Sequence, residues 1–310
     1  MTATIVSPPE TSISNGLIRA GIYLPDAENG YYRSTRFDWS GIIHSLSYEG
    51  HEYFGEWQES DDPYLHDRIT GPVDSFGVLQ PAGNAADAAQ REAFVAIGIG
   101  VCAPKAGEDS PGSHPYRILD HGRREVSQGA NWIEFEQTIT DAGGGYGYIY
   151  KKRLTLVPGA AELVIDYTLA NTGAAAIVTD VYNHNFFVID GQPSGPDFVV
   201  RFPFEAVVEG DLGAFATVKG RELVYLQEVP EGKSIMSFLR GFAERADQNG
   251  FAIENRKTKA GVRMATDRAL AKLNYWSPAT TLCPEPFIDL DIPPGHADRW
   301  SCRYQFYQLD

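Results

Sequence analysis

The 310-residue chain is 43% hydrophobic and 12% aromatic, which provides enough apolar surface for a sizeable core and argues against disorder. Its net charge of -15 argues against nucleic acid and anionic membranes as partners, because both bind through basic patches. The cysteines are few and odd in number and none forms a Cys-x-x-Cys pair, which argues against a disulfide framework or a zinc site.

Residues 1–14 (MTATIVSPPETSIS) are polar and contain prolines, so we expect a loose N-terminal arm. They have neither a basic region nor an apolar core and therefore do not resemble a signal peptide. No run of apolar residues in the chain is long enough to span a membrane. These features predict a soluble, cytoplasmic protein.

The first part of the chain predicts short strands, at Leu17–Leu24 and Ile42–Tyr48. Between them, the segment 31–39 (YYRSTRFDW) places Arg36 and Asp38 among aromatic residues. This pair has two interpretations. It could line a sugar cleft, because aromatic faces stack on the C–H bonds of a pyranose, or it could be an ordinary ion pair of a strand.

The segment 68–80 (RITGPVDSFGVLQ) contains glycines and leads into an apolar patch. Residues 83–89 predict a brief helix or loop, and residues 104–115 predict a Gly/Pro/Ser loop. Short strands are expected at Phe94–Val101 and Trp132–Ile139.

The clearest pattern covers Tyr148–Asp190. Strict alternation predicts antiparallel strands at Tyr148–Val157 and Glu162–Leu169, and a third that begins at Ile177 and runs into residues 182–187 (YNHNFF). Turns with Pro-Gly and Asn-Thr-Gly separate them. A single histidine beside aromatic residues is by itself usually a packed, hydrogen-bonded residue.

The last third continues the pattern, with strands that include Leu270–Trp276 and Trp300–Phe306 and one short helix at 241–249. The sequence contains no long amphipathic helix and no repeat of fixed period. Many short strands with closely spaced turns predict an all-β sandwich or barrel. We expect it to form one domain over residues 1–310.

Two motifs resemble the galactose mutarotase (aldose 1-epimerase) superfamily. Residues 183–187 (NHNFF) match its motif of Asn or Thr, His, any residue, Tyr or Phe, and Phe. Residues 283–286 (CPEP) resemble the Cys-x-Glu-Pro motif of the hexose-6-phosphate mutarotase subgroup, with a Pro-Gly turn and a closing strand after it. Asn274 and Trp276 resemble part of that subgroup's Trp-Asn-Pro-Trp. The resemblance implies a large antiparallel β-sandwich, with His184 and Glu285 as the catalytic residues.

The family's chemistry interconverts the anomers of a sugar. A base removes the proton of the anomeric hydroxyl and an acid protonates the ring oxygen, so that the ring opens and recloses. The resemblance implies that Glu285 is the base and His184 the acid, on opposite sides of the ring, without a metal or organic cofactor. Glu285 could also be an exposed loop glutamate, although Pro284 and Pro286 would aim its side chain rigidly.

A third motif suggests how the sugar is held. Residues 68–77 carry an Arg, glycines, a Pro and a Phe-Gly in the order found in sugar-phosphate mutarotases, which implies that Arg68 binds sugar hydroxyls. The alternative is a solvated surface arginine. Arg36, Asp38, Asn183 and Trp276 complete the expected substrate-binding set.

The sequence also departs from the family. Family members carry a second active-site histidine in a His-Gly-Phe-Ala-Arg motif, whereas the corresponding span, 91–100, reads REAFVAIGIG. His114 and His121 lie further on, in expected loops. Three functions therefore stay open: an aldose 1-epimerase-like enzyme for a monosaccharide or modified sugar, a carbohydrate-binding protein without turnover, and another sugar-modifying enzyme such as a lyase. The sequence does not indicate the oligomeric state.

Overall fold

The structure is a computed structural model that describes residues 7–79, 93–104, 115–142 and 144–310. The predicted helix or loop at 83–89, most of the predicted loop at 104–115, His114 and the first six residues of the predicted arm lie outside these ranges. No helix within the described ranges is long and apolar enough to cross a membrane.

Short strands make up most of the regular structure. In chain order they are β1 (Glu10–Ser14), β2 (Ile18–Tyr23), β3 (Ile42–Tyr48), β4 (His51–Glu52), β5 (Gly71–Phe76), β6 (Phe94–Ala96), β7 (Gly100–Ala103), β8 (Arg117–Asp120), β9 (Arg123–Gln128), β10 (Trp132–Ile139), β11 (Tyr148–Leu156), β12 (Glu162–Asn171), β13 (Ile177–Phe186), β14 (Phe198–Arg201), β15 (Val207–Glu209), β16 (Ala216–Lys219), β17 (Glu222–Tyr225), β18 (Ser234–Arg240), β19 (Gly250–Asn255), β20 (Ala260–Thr266), β21 (Lys272–Pro278), β22 (Cys283–Ile292) and β23 (Ala297–Gln308). Short 3-10 helices lie at Ile189–Gly191 and Ala246–Gln248.

Two large antiparallel sheets form the body of the protein. One has ten strands in the order β16-β17-β14-β19-β20-β23-β12-β11-β10-β9, and the other has six in the order β15-β18-β21-β22-β13-β5. Side chains from both meet between them: Tyr304 on β23 donates a hydrogen bond of 2.8 Å to Asn185 on β13. The predicted all-β antiparallel sandwich is confirmed.

The period of two along each strand decides which side chains reach this interior. On β12, Leu163, Ile165 and Tyr167 are buried, as the alternation predicts. On β13, the odd-numbered residues from 181 to 185 face the ten-stranded sheet, and the even-numbered residues from 182 to 186 face outward. The six-stranded sheet therefore has an inner face and an outer face.

The outer face of the six-stranded sheet is partly covered. A second hydrophobic cluster packs on it, formed by aromatic residues of the segment 31–42, by β6 and β7, and by Val73, Phe186 and Cys283 of the sheet. The aromatic residues of segment 31–39 are thus buried in this cluster. The covered half lies over β5 and β13.

Three sequence expectations are wrong in detail. The segment Phe94–Val101, predicted as one strand, contains β6 and the start of β7, which pair antiparallel around a turn at 97–99. Residues 10–14 of the predicted loose arm form β1, which pairs with β2 and buries Ile13. The segment 241–249 contains only the 3-10 turn Ala246–Gln248, in which no residue is buried, so it has no apolar face that would stabilise a longer helix.

Candidate active site

His184 and Glu285 lie side by side on the outer face of the six-stranded sheet. Tyr182 of β13 pairs with Phe287 of β22. Because the strands are antiparallel, the same register places His184 opposite Glu285, two positions away on each strand. His184 Nε2 lies 3.2 Å from Glu285 Oε1. The two residues are only 2% and 4% exposed. The structure therefore brings together two residues that are a hundred positions apart in the chain.

Packing and hydrogen bonding hold both side chains in place. The imidazole of His184 stacks on Phe186, with ring centroids 3.9 Å apart, and the edge of Trp276 approaches it at 5.5 Å. Asn274 Nδ2 on β21 donates a hydrogen bond of 3.0 Å to Glu285 Oε2. This arrangement corrects the expectation that the acid and the base stand on opposite sides of the substrate, because the two residues are direct neighbours.

Burial controls the protonation of the pair. Desolvation raises the pKa of Glu285 to about 7, against the lowering effects of the Asn274 hydrogen bond and of Arg36. Desolvation, together with the charge of Arg36, lowers the pKa of His184 well below its usual value. Both effects favour neutral groups, so near neutral pH the pair is a neutral imidazole beside a carboxyl group that readily gains or loses one proton.

Arg36 lies at the rim of the site. Its guanidinium forms an ion pair with Asp67 and donates a hydrogen bond of 3.3 Å to the Tyr182 hydroxyl. The same group stacks over Phe37, whose ring edge contacts His184. These contacts join the covering segment 31–42 to the outer face of β13, close to the pair.

Three buried polar atoms near the pair have no hydrogen-bond partner among the described residues: His184 Nδ1, Asn274 Oδ1 and Trp57 Nε1. Trp57 reaches the site through its edge-on contact with Trp276, at 5.2 Å between ring centroids. Buried polar groups in folded proteins nearly always have partners, because leaving one unpaired costs about 1–3 kcal/mol. The surroundings of the pair therefore contain three polar atoms whose hydrogen-bonding capacity is not used by the described residues.

Two predicted substrate-binding residues lie on the inner face instead. Asn183 precedes His184 and points the opposite way, where it donates a hydrogen bond to Asp74. Asp38 is 1% exposed and accepts a hydrogen bond of 3.0 Å from Tyr150. Neighbouring residues of a strand face opposite sides of its sheet, so Asn183 and His184 cannot both face the site.

Asp38 belongs to a buried charge cluster between the sheets. Lys152 on β11 is fully buried, and its Nζ lies 2.7 Å from Asp74 and 3.6 Å from Asp38. It also donates a hydrogen bond of 2.9 Å to the carbonyl of Ser40. Burial opposes the charge of Lys152, but the two carboxylates prevail and raise its pKa. This cluster ties the segment 31–42 to the body of the sandwich.

Arg68 has contacts that differ from the predicted ones. Its guanidinium donates hydrogen bonds to the carbonyls of Ser60 and Tyr31 and stacks over the Tyr31 ring. No contact within the described ranges joins Arg68 to the pair. It holds two covering segments together, and its role toward a substrate stays a prediction.

Several residues of the site were not found in the sequence. Tyr182 could have been, because it lies two positions before His184 and therefore on the same face of the strand. Asp67 and Trp57 come from an irregular segment that carries no periodic signal. His121 packs against Trp39. No group of three or more His, Cys, Asp or Glu side chains suited to a metal ion occurs in the described ranges.

No protein-family model and no curated protein matches this chain. Its fold is similar to that of the Slr1438 protein from Synechocystis sp. PCC 6803, with a TM-score of 0.61, 14% identity and coverage of 100% of this chain and 99% of that one. It is also similar to an aldose epimerase homologue from C. elegans (TM-score 0.57, 12% identity, 98% and 100% covered). A third is a galactose mutarotase-like protein from Lactobacillus casei ATCC 334 (TM-score 0.55, 13% identity, 96% and 100% covered). The fold is thus that of galactose mutarotase-like structures.

Proposed function

We propose that this protein is an aldose 1-epimerase-like enzyme that interconverts the anomers of a sugar. The observation that carries the proposal is the buried contact of 3.2 Å between His184 Nε2 and Glu285 Oε1. An acid and a base with perturbed pKa values in one enclosed site are typical of a catalytic pair. The similarity in fold to an aldose epimerase homologue agrees with this function.

Placement side by side suits the reaction. The anomeric hydroxyl and the ring oxygen of an aldose are bonded to the same carbon atom, so two neighbouring groups can reach both oxygens at once. One member of the pair takes the proton of the anomeric hydroxyl while the other donates a proton to the ring oxygen. The bond between the anomeric carbon and the ring oxygen breaks, and a carbonyl forms.

Ring closure reverses these proton transfers on the other face of the carbonyl, after rotation about the bond to the neighbouring carbon. In the assignment made from the sequence, Glu285 is the first base and His184 the first acid. The reaction needs one proton on the pair in either direction, and burial favours that proton on Glu285 beside a neutral His184 because it disfavours both charges. In this form Glu285 is the proton donor and His184 the proton acceptor, so we propose that the first step runs with the reverse of the roles assigned from the sequence. The unpartnered atoms Asn274 Oδ1 and Trp57 Nε1 would bind the remaining hydroxyls.

The test is an anomer-exchange measurement by polarimetry or NMR across a panel of aldoses that includes phosphorylated and acidic sugars. We expect His184→Ala and Glu285→Gln each to lower kcat by about 10²–10⁴-fold, since each removes one proton carrier. The exposed residues His296 and Glu244 provide matched controls, and His296→Ala and Glu244→Gln should retain the wild-type rate. Exchange that persists at near-normal rates in both site variants would contradict the assignment. Binding of sugars without any exchange would instead support a carbohydrate-binding protein.

A further inference from the structure

The row of side chains that contains the pair continues across the sheet. Strand registers place Asn274 beside Glu285, Phe238 beside Asn274, and Glu209 beside Phe238, all on the outer face. Neighbouring strands lie about 4.8 Å apart, so Phe238 is about 10 Å from Glu285 along this row. The row therefore extends well beyond the length of one pyranose ring at the pair.

This end of the face is open, whereas the part around Val73, His184 and Phe186 is covered. Phe238 is 45% exposed, and Met236, its neighbour on the same face of β18, is 67% exposed. Beside Phe238 lies a groove of about 300 Å³ lined by Glu209, Phe238, Leu239, Arg240, Lys272 and Leu273. That volume is at the lower end of the range for small-molecule sites.

The groove combines the two kinds of group that bind saccharides. Phe238 offers an aromatic surface to the C–H face of a ring. Arg240 forms an ion pair with Glu209, and Lys272 forms one with Asp180. These side chains present several donors and acceptors to hydroxyl groups at the groove wall. Because each charge has a partner, the groove has no uncompensated charge that would select an anionic ligand.

Asn274 connects the groove to the pair. Asn274 is 8% exposed, its Nδ2 donates a hydrogen bond to Glu285, and its Oδ1 has no hydrogen-bond partner within the described ranges. This acceptor lies between Glu285 and Phe238 in the row, where a bond between two rings of a substrate would pass. It is thus a buried, unsatisfied group at the junction of the two regions.

We infer that the groove is a second carbohydrate subsite, which holds the next ring of a substrate whose reducing-end ring lies at His184 and Glu285. This inference rests on the proposed function and specifies its substrate class as a reducing disaccharide or longer saccharide. Phe238 is then a specificity-determining residue. It acts on the second ring and leaves the chemistry at the first ring unchanged.

The test compares anomer exchange of monosaccharides with that of disaccharides that end in the same ring: glucose with maltose and cellobiose, galactose with galactobiose, and mannose with mannobiose. We expect kcat/KM to be about tenfold higher for one of the disaccharides than for its monosaccharide. Phe238→Ala should reduce this preference by about threefold to tenfold, which is the size of an aromatic stacking contribution, and leave the monosaccharide rate unchanged. Val178 is 65% exposed on the same face and lies on β13, which β21 and β22 separate from β18, and Val178→Ala should have no effect.

A preference for monosaccharides, or a disaccharide preference that survives Phe238→Ala, would overturn the inference. So would a change of oligomeric state in Phe238→Ala, measured by light scattering, with sugar preference unchanged, because the exposed apolar residues would then bind a second copy of the chain. If no sugar exchanges anomers, the proposed function fails, and calorimetric binding of the same disaccharides decides on the groove alone. Binding that Phe238→Ala weakens supports the subsite, and equal binding in both proteins rejects it.

Discussion

The six-stranded sheet has buried ionisable groups on both faces, and the two faces differ in how far neighbouring charges offset burial. On the inner face, Lys152 lies within ion-pair distance of Asp74 and Asp38, and these carboxylates raise the pKa of Lys152, although burial also raises the pKa of Asp74. On the outer face, no ion pair offsets the desolvation of both His184 and Glu285, and burial drives both toward their neutral forms. We expect the inner charges to stabilise the fold and the outer pair to exchange a proton, as the proposed function requires.

The largest effect should come from breaking the inner cluster. Lys152→Met leaves two carboxylates buried without their cation, and we expect the free energy of unfolding at pH 7 to fall by about 3–5 kcal/mol. Lys151, the next residue, points outward to an ion pair with Glu136, so Lys151→Met should cost no more than about 1 kcal/mol. Denaturant titration of the two variants measures the difference. Equal losses would show that the inner cluster does not stabilise the fold.

A smaller effect of opposite sign is expected on the outer face. The folded state raises the pKa of Glu285 from 4.5 to about 7, so the native protein binds this proton more tightly than the unfolded chain does. The contribution of protonated Glu285 to the stability of the folded state is therefore fully present below pH 4.5 and is lost as pH rises through 7. Glu285→Gln cannot ionise. Its free energy of unfolding relative to that of wild type should therefore rise by about 2–3 kcal/mol as the pH increases from 5 to 8.

Thermal unfolding at several pH values measures this gain. The exposed Glu244 is the control, and Glu244→Gln should follow the wild-type pH dependence throughout. A Glu285→Gln variant whose stability relative to wild type is the same at pH 5 and pH 8 would contradict the raised pKa.

The smallest effect concerns the pH dependence of activity. The proposed reaction needs one proton on the pair, and Glu285 loses that proton above about pH 7. We expect kcat/KM for anomer exchange to fall by about tenfold per pH unit above 7. Because the pKa of His184 is well below its usual value, activity should stay level as pH falls from 7 through 6. A rate that rises with pH through 7 would exclude the one-proton state as the active form.

The sequence predicts the strands best where alternation is strict. β3 and β10 begin and end where the pattern indicates, and β11 to β13 differ by only a few residues. β22 was not predicted as a strand because Pro284 and Pro286 lack the N–H groups that a central strand uses. In the structure both prolines lie on β22 between β21 and β13, opposite Tyr275 and Leu273 of β21.

The candidate site was predictable only in part, for a geometric reason. The motifs identified His184 and Glu285, but their contact depends on a register between strands far apart in the chain, which no local pattern contains. Asp38 was assigned to the wrong side because the segment 31–41 is irregular, so its residues have no period from which a direction follows. The assignment of Asn183 to the substrate-binding set was avoidable, because adjacent residues of a strand face opposite sides and His184 was already assigned to the site.

The position of Glu285 on a central strand links the register of that strand to the formation of the candidate site. A slip of β22 by one residue would turn Glu285 into the interior and bring Pro284 or Pro286 to its place on the outer face. The misplaced carboxylate would then lie near Asp74, on the side of the sheet that already holds two acidic groups around one lysine. Such a misfolded molecule would be penalised by repulsion and desolvation as well as by lost pairing. The inner charge cluster therefore opposes the alternative alignment that would remove Glu285 from the candidate site.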